Sequence, residues 1–244
     1  MQNPLALKLQ RYADLSEDEI RKLEQLTGER FSKNTGEDIV QQGERPTTVA
    51  LILEGLACRY KLSDAGERQI VGIMVPGDLC DLHAFVLNAM DHSIAALSPV
   101  TLTHVPRDKL LALFESEPRI TRALWWSTLV DEGTLREWVM NVAKRSAYVG
   151  VAHLLSELCM RLQTVGLASE DQCEIKMRQE DLADAVGVGR SHLNASIAQL
   201  EDEGLIRHSR GSLTVIDIGR LMKAGQFNED YLHLNKASRG GAHP

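Results

Sequence analysis

Short apolar runs alternate with turn residues between Phe31 and Arg107. Glycine, proline and aspartate separate the runs, and evenly spaced runs of this kind are typical of antiparallel strands. The predicted strands are Asp38-Ile39-Val40, Val49 to Leu53, Gly55 to Leu62, Gln69 to Val75, Ser93 to Leu97 and Thr101 to Val105. This part of the chain therefore predicts an antiparallel barrel or jelly roll.

Helical patterns flank the strands. Upstream, Ser16 followed by Glu19 has the spacing of a capping box and predicts a helix start. Downstream, the segment from Pro118 to about Arg145 contains one internal breaker, Gly133, and predicts the longest helix of the chain. A break near Ser146 to Gly150 then offers a hinge before a further amphipathic helix.

The long helix carries residues spaced alternately four and three apart. This spacing favours a coiled-coil seam between two copies of the chain, and packing against the chain's own strands is the competing interpretation. The seam positions are Leu124, Thr128, Asp131, Leu135, Trp138 and Val142.

Two helical patterns joined by a glycine turn follow the hinge. Their sequence, from Gln179 to Ile206, is QEDLADAVGVGRSHLNASIAQLEDEGLI. Each pattern has one apolar face, and Gly187-Val188-Gly189 interrupts them. Such an arrangement predicts a helix-turn-helix, whose second helix, beginning at Arg190, fits a DNA major groove.

Small polar and basic side chains occupy the start of that second helix. Arginine pairs with guanine edges, asparagine with adenine edges, and hydroxyl groups with either. A basic β-hairpin follows, with its turn at Ser209 to Ser212. We expect base reading and DNA backbone contacts from Arg178, Gln179, Arg190, Ser191, His192, Asn194, Arg207 and Arg210.

Other protein classes account for fewer of these features. Amphipathic helix pairs joined by glycine occur in all-α proteins that bind no DNA, but such a pair gives no reason for a basic hairpin directly after it. A protein-interaction module leaves the hairpin equally unexplained. Jelly-roll enzymes that hold a metal need clustered histidine and carboxylate ligands, and the chain has no such spacing. We therefore expect a DNA-binding protein and not an enzyme.

The helix-turn-helix and hairpin resemble the winged helix-turn-helix of the Crp/Fnr superfamily of bacterial transcription regulators. Members often carry Glu where this chain has Ser191 and Arg where it has Ala195. The usual Thr cap of the first helix is Arg178, a poor N-cap but a good phosphate contact. The resemblance implies DNA binding, and the departures leave the operator sequence open.

The resemblance also implies an architecture. It is an α+β fold with an antiparallel β-roll (jelly roll) sensor and N-terminal helices at residues 1–117, a long central dimerisation helix at 118–146, a winged helix-turn-helix DNA-binding domain at 147–235 and a disordered tail at 236–244. A homodimer would place two recognition helices in successive major grooves of a near-palindromic operator. Contact with RNA polymerase is expected of an activator, and activation and repression both remain open.

The predicted strands resemble the family's cyclic-nucleotide-binding type sensor. In its nucleotide-binding members a Gly-Glu pair holds the ribose and an Arg-Ser pair grips the phosphate; the positions here are Gly77-Asp78 and His92-Ser93. Because a guanidinium is the usual phosphate partner, its loss argues against cyclic AMP. A cyclic nucleotide, another small effector, or control by abundance alone stay as alternatives. The effector pocket implied comprises Gly77, Asp78, Leu79, His92, Ser93, Thr128 and Asp131.

The four cysteines, Cys58, Cys80, Cys159 and Cys173, have neither CxxC nor zinc-finger spacing, which predicts buried reduced thiols. The family's iron–sulfur branch carries cysteines near its N-terminus, and none precedes Cys58 here. Another branch binds haem, for which Cys80 and His83 offer a ligand set. A core thiol and a hydrogen-bonded histidine are the simpler interpretation, so haem is not expected.

Length and charge add two limits. With 244 residues, 43% of them hydrophobic, the chain can form two modest domains. A net charge of −7 argues against a general nucleic-acid coat protein, whereas a specific DNA-binding protein depends on local charge. The sequence contains no apolar run of bilayer length and no signal-peptide pattern at its N-terminus, so we expect a cytoplasmic protein without membrane contact.

Overall fold

The computed structural model describes residues 3–82 and 89–234. Two short helices come first, α1 (Pro4–Leu9) and α2 (Glu17–Glu24). The predicted capping box is confirmed, because the Ser16 hydroxyl accepts from the Glu19 N–H and the Glu19 carboxylate accepts from the Ser16 N–H. Both helices pack their apolar faces against the strands that follow.

Seven antiparallel strands of the described residues form the roll. They are β1 (Arg30–Lys33), β2 (Asp38–Val40), β3 (Thr48–Glu54), β4 (Ala57–Leu62), β5 (Arg68–Met74), β6 (Ser93–Ala96) and β7 (Val100–Pro106). One sheet has the order β1-β7-β3 and the other β2-β6-β4-β5. The antiparallel roll inferred from the apolar runs is thus confirmed, and each of the six predicted runs contains a strand.

Strand β3 is a continuous apolar run because both of its faces are covered. Along β3, Ala50 and Ile52 point into the space between the sheets, whereas Val49 and Leu51 pack against the N-terminal helices. Along β4, Ala57 faces between the sheets and Cys58 faces the C-terminal half of the chain. Period-2 alternation of polarity is therefore absent where the roll is most buried.

Three helices follow the roll: α3 (Arg107–Ser116), α4 (Pro118–Ala143) and α5 (Ala147–Thr164). The predicted long helix is confirmed as α4, whereas α3 was not predicted. The hinge is shorter than expected, because α5 begins at Ala147 instead of after Gly150. Ser146 caps α5 by accepting from the Val149 N–H over 3.3 Å, which lets the helix start early.

The expected coiled-coil seam is wrong at two of its positions. Leu124 and Trp138 are 2% and 4% exposed and pack within their own chain. Trp138 also donates from its indole N–H to the buried carboxylate of Glu157. The face of α4 left open shares Leu135 and Val142 with the predicted seam but is otherwise rotated from it. Its large apolar residues are Trp125, Leu129, Leu135, Val139, Met140 and Val142.

The last part of the chain contains three strands and short helices. They are β8 (Cys173–Ile175), α6 (Gln179–Val186), α7 (Arg190–Asp202), β9 (Ile206–Ser209), β10 (Ser212–Val215), α8 (Ile218–Ala224) and a 3-10 helix (Glu229–Leu232). The sheet order is β8-β10-β9. α6 ends at Gly187, whose φ of +71° is the left-handed conformation that glycine adopts readily. The helix-turn-helix and its hairpin are confirmed.

A buried core ties this C-terminal part to the roll. Residues of β4, β5 and β6 join α5, α6 and α7 in one apolar cluster. Within the described ranges, the helices are too short or too polar to cross a membrane. The expected tail at 236–244 and His83 lie outside the described residues.

Candidate nucleic-acid interface and effector cavity

The N-terminal half of α7 presents its polar side chains to solvent. Leu193, Ile197 and Leu200 are buried on one side of the helix. The open side carries Arg190, Ser191, His192, Asn194, Ala195 and Gln199, which are all exposed. The burial follows the helical period, so one face holds the helix in the core and the other is free to enter a groove.

The hairpin after α7 has the geometry of a wing. β9 and β10 pair with Ser212 opposite Ser209, and the turn between them is Arg210-Gly211. Gly211 has a φ of +81°, which a tight hairpin turn requires. Arg207 and Arg210 are exposed, and no carboxylate in the described ranges forms an ion pair with either of them. Their charge is therefore available to an external anion.

Arg178 and Arg210 line one groove between the wing and the β6–β7 turn of the roll. Lys176, the residue after β8, lines the same groove, and the sequence reading missed it. Its signal was a lysine between two apolar residues, Ile175 and Met177, which are both buried. Gln179, the first residue of α6, is half-buried beside Arg178. Unlike the wing arginines, Arg178 is partly neutralised, since its Nη1 lies 2.7 Å from Oε1 of Glu180 and its Nε 2.8 Å from Oδ2 of Asp181.

A cavity of about 480 Å³ lies between the roll and α4. Of the predicted pocket residues, Gly77, Leu79, His92, Thr128 and Asp131 line it. The apolar part of the cavity wall comes from the first helix, the roll and α4. Its residues are Leu5, Val71, Ile73, Leu79, Leu82, Leu124 and Leu135. A space of this size is suited to a small organic molecule.

Asp78 and Ser93, predicted in the pocket, do not line this cavity. Asp78 lies in an ion-pair cluster, with Oδ1 2.7 Å from Nζ of Lys8 and Oδ2 2.8 Å from Nη2 of Arg161. Burial raises the pKa of Asp78, but the two cations outweigh burial and hold that pKa at about 2. The Ser93 hydroxyl accepts from the Gln42 N–H over 2.9 Å. Both side chains are thus bound by other groups of the same chain.

Gly77 has a structural reason to be glycine. Its φ is +92°, and a Cβ built on it would lie 2.6 Å from the carbonyl oxygen of Pro4. The turn therefore approaches the first helix too closely for any side chain. This packing accounts for Gly77 without a ligand.

A second ion-pair cluster forms the polar side of the cavity. Arg59 of β4 donates from Nε to Asp81 over 3.0 Å and from Nη2 to Asp131 over 3.3 Å. His92 lies between two carboxylates, with Nε2 2.7 Å from Asp81 and Nδ1 2.7 Å from Asp91. Burial lowers the pKa of His92, but these carboxylates outweigh it and raise that pKa above its ordinary value.

Arg59, Lys8 and Arg161 were missed in the sequence reading. A basic residue between Cys58 and Tyr60 in a predicted strand was the signal for Arg59. The spacing of Glu157 and Arg161, four residues apart on a helix, was the signal for Arg161, and the two side chains do form an ion pair at 3.1 Å. Lys8 gave no signal, because its partner Asp78 is distant in sequence.

The four cysteines are buried and reduced, as expected. Burial raises the pKa of the Cys80 thiol, whose Sγ lies 3.7 Å from the Met74 sulfur. Among the described residues there is no group of three or more side chains suited to a metal ion. His83, the other residue of the haem ligand set that was considered and not expected, lies outside the described residues.

Comparison with known proteins assigns both halves of the chain. Residues 30–117 match the cyclic nucleotide-binding domain family, and residues 151–224 match the Crp-like helix-turn-helix domain family. The nitrogen fixation regulation protein FixK of Bradyrhizobium diazoefficiens is 27% identical over 86% of this chain and 86% of its own length. The transcriptional activator protein FnrL of Cereibacter sphaeroides is 22% identical over 87% of this chain and 86% of its own.

The fold is shared with solved regulators. The structure of FixK2 from Bradyrhizobium japonicum superposes with a TM-score of 0.70 at 22% identity, over 80% of this chain and 96% of that one. A Crp-family regulator from Thermus thermophilus, TTHB099, superposes with a TM-score of 0.62 at 20% identity, over 82% of this chain and 97% of that one. The two matched families, their order along the chain and the fold agree with one another, and the chain belongs to the Crp/Fnr family of transcription regulators.

Proposed function

We propose that two copies of this chain bind a near-palindromic operator, each placing the N-terminal half of α7 in a major groove. Arg190, Ser191, His192 and Asn194 would read base edges. Arg178, Gln179, Arg207 and Arg210 would fix the register by contacting the DNA backbone. The observation that carries the proposal is the exposed polar face of α7 beside a wing whose arginines have no carboxylate partner among the described residues.

The open apolar face of α4 supports pairing of two chains. Trp125 is 65% exposed and Val139 is 59% exposed, although both are large apolar residues on one helix. Burying such a stripe against its symmetry mate is the ordinary way to remove it from water. We expect Trp125→Glu to weaken dimerisation, measured by sedimentation, without lowering the unfolding temperature of the single chain. Lys109→Glu, at an exposed polar position of α3, is the control.

The direct test is selection of duplexes from a random pool, followed by mobility shift. We expect enrichment of a site with two related half-sites about one helical turn apart, bound by two chains. Affinity should fall steeply with salt, since phosphate contacts release counterions. Absence of any enriched sequence, or binding by a single chain, contradicts the proposal. Activation through contact with RNA polymerase is tested separately by transcription from a promoter that carries the selected site.

We further propose that an effector, if one acts here, is uncharged and largely apolar. The cations at the cavity are already paired: Arg59 with Asp81 and Asp131, Lys61 with Asp91 at 3.8 Å, and Lys8 and Arg161 with Asp78. A cyclic phosphate would have to displace these carboxylates, at a cost in buried ion pairs. An uncharged molecule with a hydrogen-bond donor could face the carboxylates and pack on the apolar wall.

Two fluorescent probes separate the alternatives. Phenylnaphthylamine is uncharged with one N–H donor, and anilinonaphthalene sulfonate has the same rings with an anionic group. We expect saturable binding of the uncharged probe, at least tenfold tighter than the anion, and no competition by cyclic AMP. Gly72→Leu, which extends a side chain beside Arg59 at the cavity wall, should abolish binding, whereas Gly219→Leu on α8 should not.

Equal binding of both probes, or displacement by cyclic AMP, contradicts an uncharged effector. If neither probe binds while operator binding is intact, the result contradicts an uncharged effector of this size in the cavity and favours the alternative of control by abundance.

A further inference from the structure

One ion-pair cluster joins the roll to the first helix of the helix-turn-helix. Arg68, the first residue of β5, donates from Nη2 to the carboxylate of Asp181. Its Nε donates to Oδ2 of Asp184 over 2.8 Å. The side-chain amide of Gln69 donates to the Asp184 carbonyl oxygen over 2.6 Å. Both acidic residues lie in α6, so the start of strand β5 holds the DNA-reading part of the chain.

The carboxylate of Asp181 serves a second guanidinium as well. Arg178 donates to it from Nε over 2.8 Å and from Nη2 over 3.0 Å. Asp181 is fully buried, whereas the Arg178 side chain is 42% exposed at the groove beside the wing. A buried carboxylate needs its charge compensated, and here two guanidinium groups from different domains share that role.

We propose that Arg68 is a positioning residue for DNA binding, acting on Arg178 through the shared carboxylate of Asp181. The proposal rests on the proposed function, specifically on Arg178 as a phosphate contact. With Arg68 present, the roll supplies part of the compensation for Asp181, and Arg178 keeps positive charge for a phosphate. Without Arg68, Arg178 becomes the remaining guanidinium that compensates the buried carboxylate of Asp181. Arg178 is then held by Asp181 and attracts a DNA phosphate less strongly.

The test is a double-mutant cycle on operator affinity, with the full chain and a duplex selected from random sequence. We expect Arg68→Ala and Arg178→Ala each to weaken binding about tenfold and to lower the salt slope by about one contact. The double variant should bind within about twofold of the weaker single variant, because both changes remove the same contact. Independent effects would multiply to about a hundredfold.

Two further variants keep the test interpretable. Arg30→Ala removes a roll arginine whose side chain is 68% exposed and whose Nη1 lies 3.9 Å from Oε1 of Glu54. This change should leave operator affinity unchanged. Arg68→Lys keeps the charge in case Arg68→Ala does not fold. Because an ammonium group lacks the planar fork that reaches two carboxylates, this variant should bind between wild type and Arg68→Ala.

Several results would overturn the proposal. They are wild-type affinity in both Arg68 variants, a salt slope that Arg68→Ala leaves unchanged, and multiplicative effects in the double variant. If the wild-type chain itself selects no duplex, DNA binding fails altogether. If the wild-type chain binds and the cycle shows no coupling, only the role of Arg68 is lost.

Discussion

The candidate effector cavity and the proposed DNA-reading surface both contain cations, but among the described residues most cations of the reading surface lack the ion pairs that the cavity cations form. At the cavity, Arg59, Lys8 and Arg161 are each bound by carboxylates of the same chain. At the reading surface, Arg190 and Arg210 are exposed and, within the described ranges, have no such partner. Paired cations hold elements together, and unpaired cations remain for a ligand that carries its own negative charge. The residue type alone does not distinguish the two uses.

The largest effect should come from breaking the pairing behind the cavity. Asp78→Ala leaves Lys8 and Arg161 as buried cations without their shared carboxylate, and we expect a loss of about 3–5 kcal/mol in the free energy of unfolding. Urea denaturation measures it. Asp18→Ala, which removes an exposed carboxylate paired with Lys22, is the control and should change little. A loss below 1 kcal/mol at Asp78 would mean that this cluster is not structural.

Acid should weaken the DNA-reading half next. Burial, followed by the nearby charge of Arg145, lowers the pKa of His153 to about 4. The unfolded chain binds that proton near pH 6.5, so stability from neutral His153 is present above that value and is lost as pH falls toward 4. Between pH 7 and 5 we expect about 2 kcal/mol from this residue. His153→Gln should flatten this part of the pH profile of unfolding.

The stability that His92 contributes at the cavity depends on pH in the opposite direction. Since its pKa is raised, its contribution is present below its unfolded pKa and is lost as pH rises through the folded value. The difference in unfolding free energy between wild type and His92→Asn should therefore shrink above neutral pH. A difference that grows with pH would contradict the pairing of His92 with Asp81 and Asp91.

Removing an unpaired cation should weaken DNA binding without changing the stability of the fold. Arg190→Ala should cost about 1–3 kcal/mol of operator affinity and relax specificity at one base pair. Its unfolding free energy should stay within about 0.5 kcal/mol of wild type, because the side chain is exposed and makes no ion pair within the described ranges. Anisotropy titrations on operator variants measure the affinity and the specificity. Wild-type affinity for the preferred site would remove Arg190 from the reading residues.

The smallest effect belongs to the wing. Arg210→Ala should weaken binding almost uniformly across sequences and lower the salt slope by about one. Titration at several salt concentrations, on the operator and on a scrambled duplex, separates this from base reading. A loss of affinity that is confined to the operator would make Arg210 a specificity residue. The wing and α7 would then not differ in their roles.

The sequence determined the elements whose cause is local. Gly187 ends α6 by its left-handed φ, Gly211 closes the wing, and Ser16 starts α2, and each could be predicted because the interacting atoms are within four residues. The apolar period of α7 likewise decided in advance which side of that helix is buried. Strand β1 of the roll and strand β8 of the C-terminal part escaped prediction, because RFSK and CEI lack a run of apolar residues.

Only the tertiary structure decided which charges are engaged and which face of α4 stays open. Asp78 meets Lys8 and Arg161 across 70 and 83 residues of sequence, and Arg68 meets Asp181 across 113. The four-three spacing on α4 fits more than one helical face, and Leu124 and Trp138 were assigned to the wrong one because the roll and α5 cover them. A local pattern records which residues share a helix face, but burial depends on which distant elements pack against that face.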